Sequence, residues 1–244
     1  MRPDPNISPA PAGVRSHHVA QLTLSEQALP AKLQRSVYVP LLDRLLYRHP
    51  FEGSSARRYA TLERPAFGDL DDRLVDQLDL GRAERLLDLG CGPGTFARIA
   101  AARHPHLLVV AIDPSRDMVR HRAVPGTLRA RGEALPLADR SIDVAMLLSS
   151  IRHVRDRAQT LRELRRVVRD RVVIVELDPE ADRTRIAAHG DHIGSWFMRH
   201  AFGPLVVRTA PPATQIMQLA AAAGFARRTL RPDPVQPVYI MELA

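Results

Sequence analysis

One stretch holds the residues best spaced for chemistry: Arg85-Leu86-Leu87-Asp88-Leu89-Gly90-Cys91-Gly92-Pro93-Gly94-Thr95-Phe96. Leu86, Leu87 and Leu89 form a short apolar run with Asp88 set into its end, and Gly90, Gly92 and Gly94 follow at alternate positions. Glycine lets the chain turn tightly and lets a ligand lie against the main chain. A helix starting near Thr95 directs its free N–H groups at that ligand. The next apolar run, Leu107–Ile112, ends at Asp113. A carboxylate at such a strand end is placed to accept two hydrogen bonds from a ribose diol. Together these residues predict a site for a nucleotide-like ligand. A nicotinamide dinucleotide fingerprint needs Gly-x-Gly-x-x-Gly. Here the third glycine comes one residue early and Thr95 stands where the fingerprint wants glycine.

Asp88 to Gly94, joined to Asp113, resembles the first motifs of the class I S-adenosylmethionine-dependent methyltransferases. The segment Gly132-Glu133-Ala134-Leu135-Pro136-Leu137-Ala138-Asp139-Arg140-Ser141-Ile142-Asp143-Val144 is similar to the third-to-fourth strand segment of their small-molecule members of the ubiquinone/menaquinone type. In that family an Asp-Ala pair holds the adenine; here Arg131 and Gly132 occupy those two places. An arginine cannot accept from the exocyclic amine. Gly132 and Glu133 are therefore the candidate adenine contacts, with either the Glu133 carboxylate or main-chain atoms alone in that role. The run Leu147-Leu148-Ser149-Ser150-Ile151-Arg152-His153-Val154 resembles the family's Leu-His-His-Val run, with Arg152 in the first histidine place. The resemblance puts Ser149 and Ser150 under the methionine end of the cofactor. His153 is the candidate general base, since imidazole titrates near neutrality. The Asn/Asp-Pro-Pro-aromatic run of adenine and glutamine methyltransferases is absent, which argues against those acceptors.

The resemblance thus implies a transferase with S-adenosyl-L-methionine as cofactor and no metal. Its cofactor-binding set is Asp88, Gly90, Gly92, Gly94, Asp113, Gly132, Glu133 and Ser149. The implied acceptor is an O, N or C nucleophile of a small molecule, a secondary metabolite among the options. Two alternatives stay open: a nucleic-acid (RNA) methyltransferase, and a non-catalytic relative that binds the same cofactor.

The elements that must position these residues can be read from the pattern. Strand candidates are Glu84–Leu89, Leu107–Ile112, Thr127–Arg131, Ile142–Leu148 and Arg171–Leu177, with helices over Thr95–Arg103, Ser115–Arg122 and Asp156–Val168 between them. Such alternation predicts a mostly parallel sheet with helices on both faces. A helix over Pro212–Ala223, then strands Phe225–Arg231 and Val235–Leu243 joined by a Pro-Asp-Pro turn, add an antiparallel pair. The expected fold is α/β, a Rossmann-like doubly wound, mostly parallel seven-stranded sheet with a C-terminal antiparallel strand pair and a helical N-terminal cap. The expected division is a disordered or extended lead over 1–22, the cap over 23–80, and the cofactor domain over 81–244 with an inserted segment at 179–211.

Composition sets the outer bounds. The net charge is +8, and Lys32 is the only lysine among 35 basic residues. Arginine excess suits a nucleic-acid partner but equally follows from a GC-rich genome, and aromatics are only 5%, without the interleaving that base stacking needs. No run approaches a membrane span, so no membrane partner is expected. The single cysteine, Cys91, forbids an internal disulfide and reads as a packing residue; a cytoplasmic location is the default expectation. His189, His192 and His200 with Asp191 read as a polar loop or structural histidines. Trp196, Phe197 and Phe202 are core or a lid. Arg57, Arg58 and Tyr59 are weaker candidates for holding the cofactor carboxylate. The oligomeric state is not legible.

Overall fold

In the computed structural model, residues 51–54, 56, 69–120, 122–182, 184–186, 207 and 210–244 are described. The lead, most of the expected cap (with Arg57, Arg58 and Tyr59), and His189, Asp191, His192, Trp196, Phe197, His200 and Phe202 of the insertion lie outside these residues.

The described chain forms one seven-stranded sheet. Its strands are β1 (Arg85–Leu89), β2 (Leu108–Asp113), β3 (Gly126–Arg129), β4 (Ile142–Leu148), β5 (Val168–Leu177), β6 (Arg228–Pro232) and β7 (Val238–Leu243). Their order across the sheet is β3-β2-β1-β4-β5-β7-β6. The first five run parallel, and β7 is antiparallel to both β5 and β6. The helices are α1 (Leu70–Gln77), α2 (Thr95–Arg103), α3 (Arg116–Val119), α4 (Arg157–Val167) and α5 (Ala213–Ala222), and a 3-10 turn spans Ile151–His153.

Period-two alternation in the strands feeds two cores, as a sheet covered on both faces requires. Leu86, Val109, Val144, Met146, Val173 and Val175 face α1 and α2, meeting Leu70, Leu74, Phe96, Ala97 and Ala100. Leu87, Leu89, Ala145, Leu147, Val172 and Ile174 face α4 and α5, meeting Leu161, Leu164, Ile216 and Met217. β4 lies at the centre and is buried along its whole length. The helix α1, which the sequence pattern assigned to a cap, packs into the first of these cores. Arg73 on α1 holds Asp233, in the turn between β6 and β7, through two hydrogen bonds of 2.8 and 3.2 Å.

Three boundaries differ from expectation in ways that matter. The α4 helix passes into β5 at Val168 without a loop, because Val168 already pairs with Ile142. The third strand stops at Arg129, and Arg131 and Ala134 close a tight turn instead, with Ala134 N–H donating to Arg131 C=O at 3.1 Å. The sixth strand begins at Arg228, since Phe225 is buried in the second core.

Candidate active site

The sheet order reverses between β1 and β4, and ligands of open α/β sheets bind outside the strand carboxyl ends at such a switch. A cavity of about 350 Å³ lies there, lined from the ends of β1, β2, β3 and β4 and the loops that leave them. It admits a ligand of nucleoside size or larger.

The glycine turn is folded by main-chain bonds. Gly90 and Cys91 both donate to Ile112 C=O, at 2.7 and 3.1 Å, so the end of β1 is fastened to the end of β2. Gly90 has φ +75°, and a Cβ there would stand 2.4 Å from Ser150 Cβ. Ser150 in turn donates from Oγ to Leu89 C=O at 2.8 Å, tying β1 to the loop after β4. Gly90 is thus a site of close backbone approach. Gly92, at φ +54°, is the opposite case: no atom lies within 4 Å of where its Cβ would stand. Gly94 caps α2 at φ +78°, and a Cβ there would meet Ala123 Cβ at 2.1 Å. It does not line the cavity; its contribution is to aim the α2 N-terminus.

Asp113 lies at the cavity wall, 8% exposed. Its Oδ2 accepts from Gly92 N–H at 2.9 Å and its Oδ1 from Ser115 N–H at 2.8 Å. Burial pushes its pKa above the ordinary carboxylate value, against the two N–H donors, which lower it. Each oxygen keeps a lone pair for a ligand hydroxyl. Asp88 is buried at the cavity floor. Cys91 shares that wall; burial first, then Asp88 and Asp113, pushes its thiol up, so it stays a neutral packing group.

Gly132 and Glu133 also line the cavity. A Cβ on Gly132 would stand 2.8 Å from Thr160 Cγ2, so glycine lets the 131–134 turn lie flat on α4. One oxygen of the Glu133 carboxylate is engaged ahead of α4: Oε1 accepts from Arg155 and Asp156 N–H, both at 3.2 Å. Arg131, with Arg129 beside it, is part of the lining.

On the β4 side, Ser149 adopts φ +52° and donates its N–H to Val175 C=O at 2.7 Å. Its Oγ is buried at the cavity with no hydrogen-bond partner among the described residues. His153 lines the same wall. Burial, with Arg152 and Arg157 adding, lowers its pKa to about 3. The Arg152 side chain turns away from the cavity and pairs with Glu176 at the end of β5, where both residues are buried. Arg152 Nε and Nη2 reach Glu176 Oε1 at 2.9 and 2.5 Å, and Leu177 N–H reaches the same oxygen at 2.8 Å.

Two lining residues, Phe51 and Glu52, had no signal in the sequence. Phe51 C=O accepts from Ser115 Oγ at 2.5 Å, and the Phe51 ring meets the His153 ring edge-to-face, with centroids 5.0 Å apart. Gly53 N–H donates to Asp117 Oδ2 at 2.8 Å. This segment, with Glu52, joins the Ser115 and His153 walls. Its partners are far away in sequence, and no local pattern marks them. Among the described residues, no group of His, Cys, Asp and Glu is arranged to hold a metal ion, and no helix is long and apolar enough to cross a membrane.

Residues 87–175 match a family described as a methyltransferase domain. The chain is 36% identical to an uncharacterised transposon protein of Streptomyces fradiae, over 65% of this chain and 48% of that one. It is 35% identical to a ubiquinone/menaquinone biosynthesis C-methyltransferase of Syntrophotalea carbinolica, over 56% of this chain and 60% of that one. The chain thus spans less than two thirds of the length of either relative. Among solved structures, an S-adenosyl-L-methionine-dependent methyltransferase described as putative, from Methanococcus maripaludis, superposes with a TM-score of 0.64 at 14% identity, covering 80% of this chain and 93% of that one. At that identity the likeness concerns the fold.

Proposed function

We propose, from the methyltransferase-domain match over residues 87–175 and the site geometry, that this chain is a class I, S-adenosylmethionine-dependent methyltransferase that moves a methyl group to an oxygen, nitrogen or carbon nucleophile of a small molecule. The observation that carries the reading is the pairing of Asp113 with the glycine loop. One carboxylate braces Gly92 N–H and Ser115 N–H and still offers lone pairs at the depth where a ribose lies. Two features fit the cofactor independently. The space beside Gly92 is open, and the buried Ser149 hydroxyl faces the cavity without a protein partner among the described residues.

The cofactor supplies a methyl group already activated on a sulfonium. What falls to the chain is alignment and exclusion of water. The glycine turn and Asp88 floor the site, Asp113 takes the ribose diol, and the turn at Gly132 and Glu133 offers main-chain groups to the base. Ser149 and Ser150 close the β4 side. The Phe51 segment joins two walls and bounds a chamber suited to a small acceptor rather than to a nucleic-acid strand. In this reading His153 is a wall residue. A ring with a pKa near 3 takes up a proton too weakly for the general-base role that its position in sequence suggested.

Isothermal titration with S-adenosylhomocysteine tests the proposal. Micromolar binding, weakened at least tenfold by Asp113→Ala with the melting behaviour retained, is the expected result. Absence of binding by the wild-type chain up to millimolar ligand overturns it.

A further inference from the structure

The base end of the cavity has an unusual donor balance. If the proposed cofactor sets its ribose at Asp113 on the end of β2, its purine falls on the β3 side, where the remaining lining is Pro114, Arg129, Arg131, Gly132 and Glu133. The two lining side chains at and just beyond the end of β3, Arg129 and Arg131, are arginines, which only donate. Arg129 sits in register with Asp113 and donates from Nε to Pro114 C=O at 3.1 Å. Arg131 is exposed at the rim and makes no side-chain hydrogen bond or ion pair with the described residues. The one carboxylate on this side, Glu133, has its Oε1 taken up by the Arg155 and Asp156 N–H groups. Asp88 and Asp113 lie deeper, below the loop and the ribose, and Glu52 comes in on the Phe51 segment.

An adenine ring carries acceptors at its ring nitrogens and a single donor group, the exocyclic amine. A wall of donors suits the former and ignores the latter. A guanidinium plane can also stack on a purine face, or pair with the acceptor edge at N7. Building on the function proposed above, we infer that Arg131 binds the purine by stacking and by donation to ring nitrogens, and that this site therefore does not read the 6-amino group. The ligand class it accepts extends to S-nucleosyl-homocysteine compounds whose 6-amine is removed or alkylated. Arg131 is the residue that sets this breadth.

The test titrates the full chain with S-adenosylhomocysteine and with its 6-deamino counterpart, in which hydrogen replaces the amine and N1 remains an acceptor. The wild-type chain should bind the two within about threefold of each other, whereas a site that accepts from the amine with a carboxylate loses about tenfold or more on its removal. Arg131→Ala should weaken both ligands alike. Arg131→Asp should restore a preference of about tenfold for the amine-bearing ligand. A wild-type preference of tenfold or more overturns the inference while leaving the methyltransferase reading intact, and needs no variant to fold. Unchanged affinity for both ligands in Arg131→Ala overturns it as well. Failure of the wild-type chain to bind either ligand refutes the proposed function itself.

Discussion

Alanine at Gly90 and alanine at Gly92 are the same chemical change two residues apart, yet the structure assigns them different consequences. At Gly90 the new methyl meets Ser150 Cβ at 2.4 Å and Oγ at 2.9 Å, on a backbone at φ +75°. Left-handed strain for a residue with a Cβ costs about 1–2 kcal/mol, and overpacking against a fixed neighbour adds about 1–3 kcal/mol. Gly90→Ala should thus destabilise by about 2–5 kcal/mol, a fall in Tm of roughly 4–20 °C for a chain of this size. At Gly92 only the strain applies, because nothing lies within 4 Å of the new Cβ; the expected fall is roughly 2–8 °C. The ligand response inverts the order. At a hundredfold excess over Kd a ligand stabilises by about 2.7 kcal/mol, and Gly92→Ala, whose methyl projects where the ligand rests, should lose most of that shift. Gly90→Ala should keep it in whatever fraction remains folded. Adding Ser150→Gly to Gly90→Ala should recover the steric part, less about 1 kcal/mol for the lost bond from Ser150 Oγ to Leu89 C=O. The assay is thermal unfolding with and without S-adenosylhomocysteine. Equal destabilisation by the two alanines, or a ligand shift retained in Gly92→Ala, would refute this division between a packing glycine and a ligand glycine.

Two titrations add further checks. Burial raises the Asp113 pKa above the ordinary carboxylate range, so its contribution to fold stability is full below the unfolded value and is lost as pH rises through the raised one. Cofactor binding has the opposite sign, because it needs the ionised form: affinity for S-adenosylhomocysteine should fall as pH drops through the raised pKa. Asp113→Asn should flatten that profile and weaken binding at neutral pH; an unflattened profile by calorimetry counts against Asp113 as the group responsible. His153 has the reverse linkage. Its pKa is lowered from 6.5 to about 3, so the folded chain binds fewer protons than the unfolded one between those values. Its stability contribution is present above pH 6.5 and is lost as pH falls toward 3. His153→Phe should shallow the decline of denaturant midpoint across that window, and an unchanged decline would contradict the assignment.

The sheet was legible because its signals are local. Leu86, Leu87 and Leu89 around Asp88, the apolar run Val144–Leu148 of β4, and the Pro-Asp-Pro turn before β7 each state a strand or its end within a few residues. The place of Asp113 at the end of β2 and on the cavity wall was legible for the same reason, since it lies one helix and one strand beyond the glycine turn. What sequence could not convey is where a side chain goes when several partners compete. Glu133 lines the cavity as its position suggested, but its Oε1 also accepts from two N–H groups ahead of α4, which no local pattern announced. Gly94 looked like a third ligand glycine, but the space beyond its Cα is filled by Ala123. Arg152, aligned to a histidine place, swings out of the cavity because a buried Glu176 on β5 claims it. Phe51 joins the site from a segment with no pattern of its own, through contacts to Ser115 and His153.

These competing contacts share a consequence for how the site is built. Among the described residues, nearly every segment at the cavity is held by a bond from a different element: Gly90 and Cys91 by Ile112 of β2, Leu89 by Ser150, Gly92 by Asp113, Ser149 by Val175 of β5, and the Arg152–His153 turn by Glu176. Each bond satisfies a main-chain group that would otherwise be unpaired at a strand end, a cost of about 1–3 kcal/mol when buried. The stability of the sheet edge and the geometry of the cavity are therefore secured by the same bonds. The affinity of such a site is not spent on ordering the loops that form it. The rim at Arg129 and Arg131 stands outside this scheme. There the fold leaves donors exposed, and it is at that end that the chain's choice of ligand has the most room to vary.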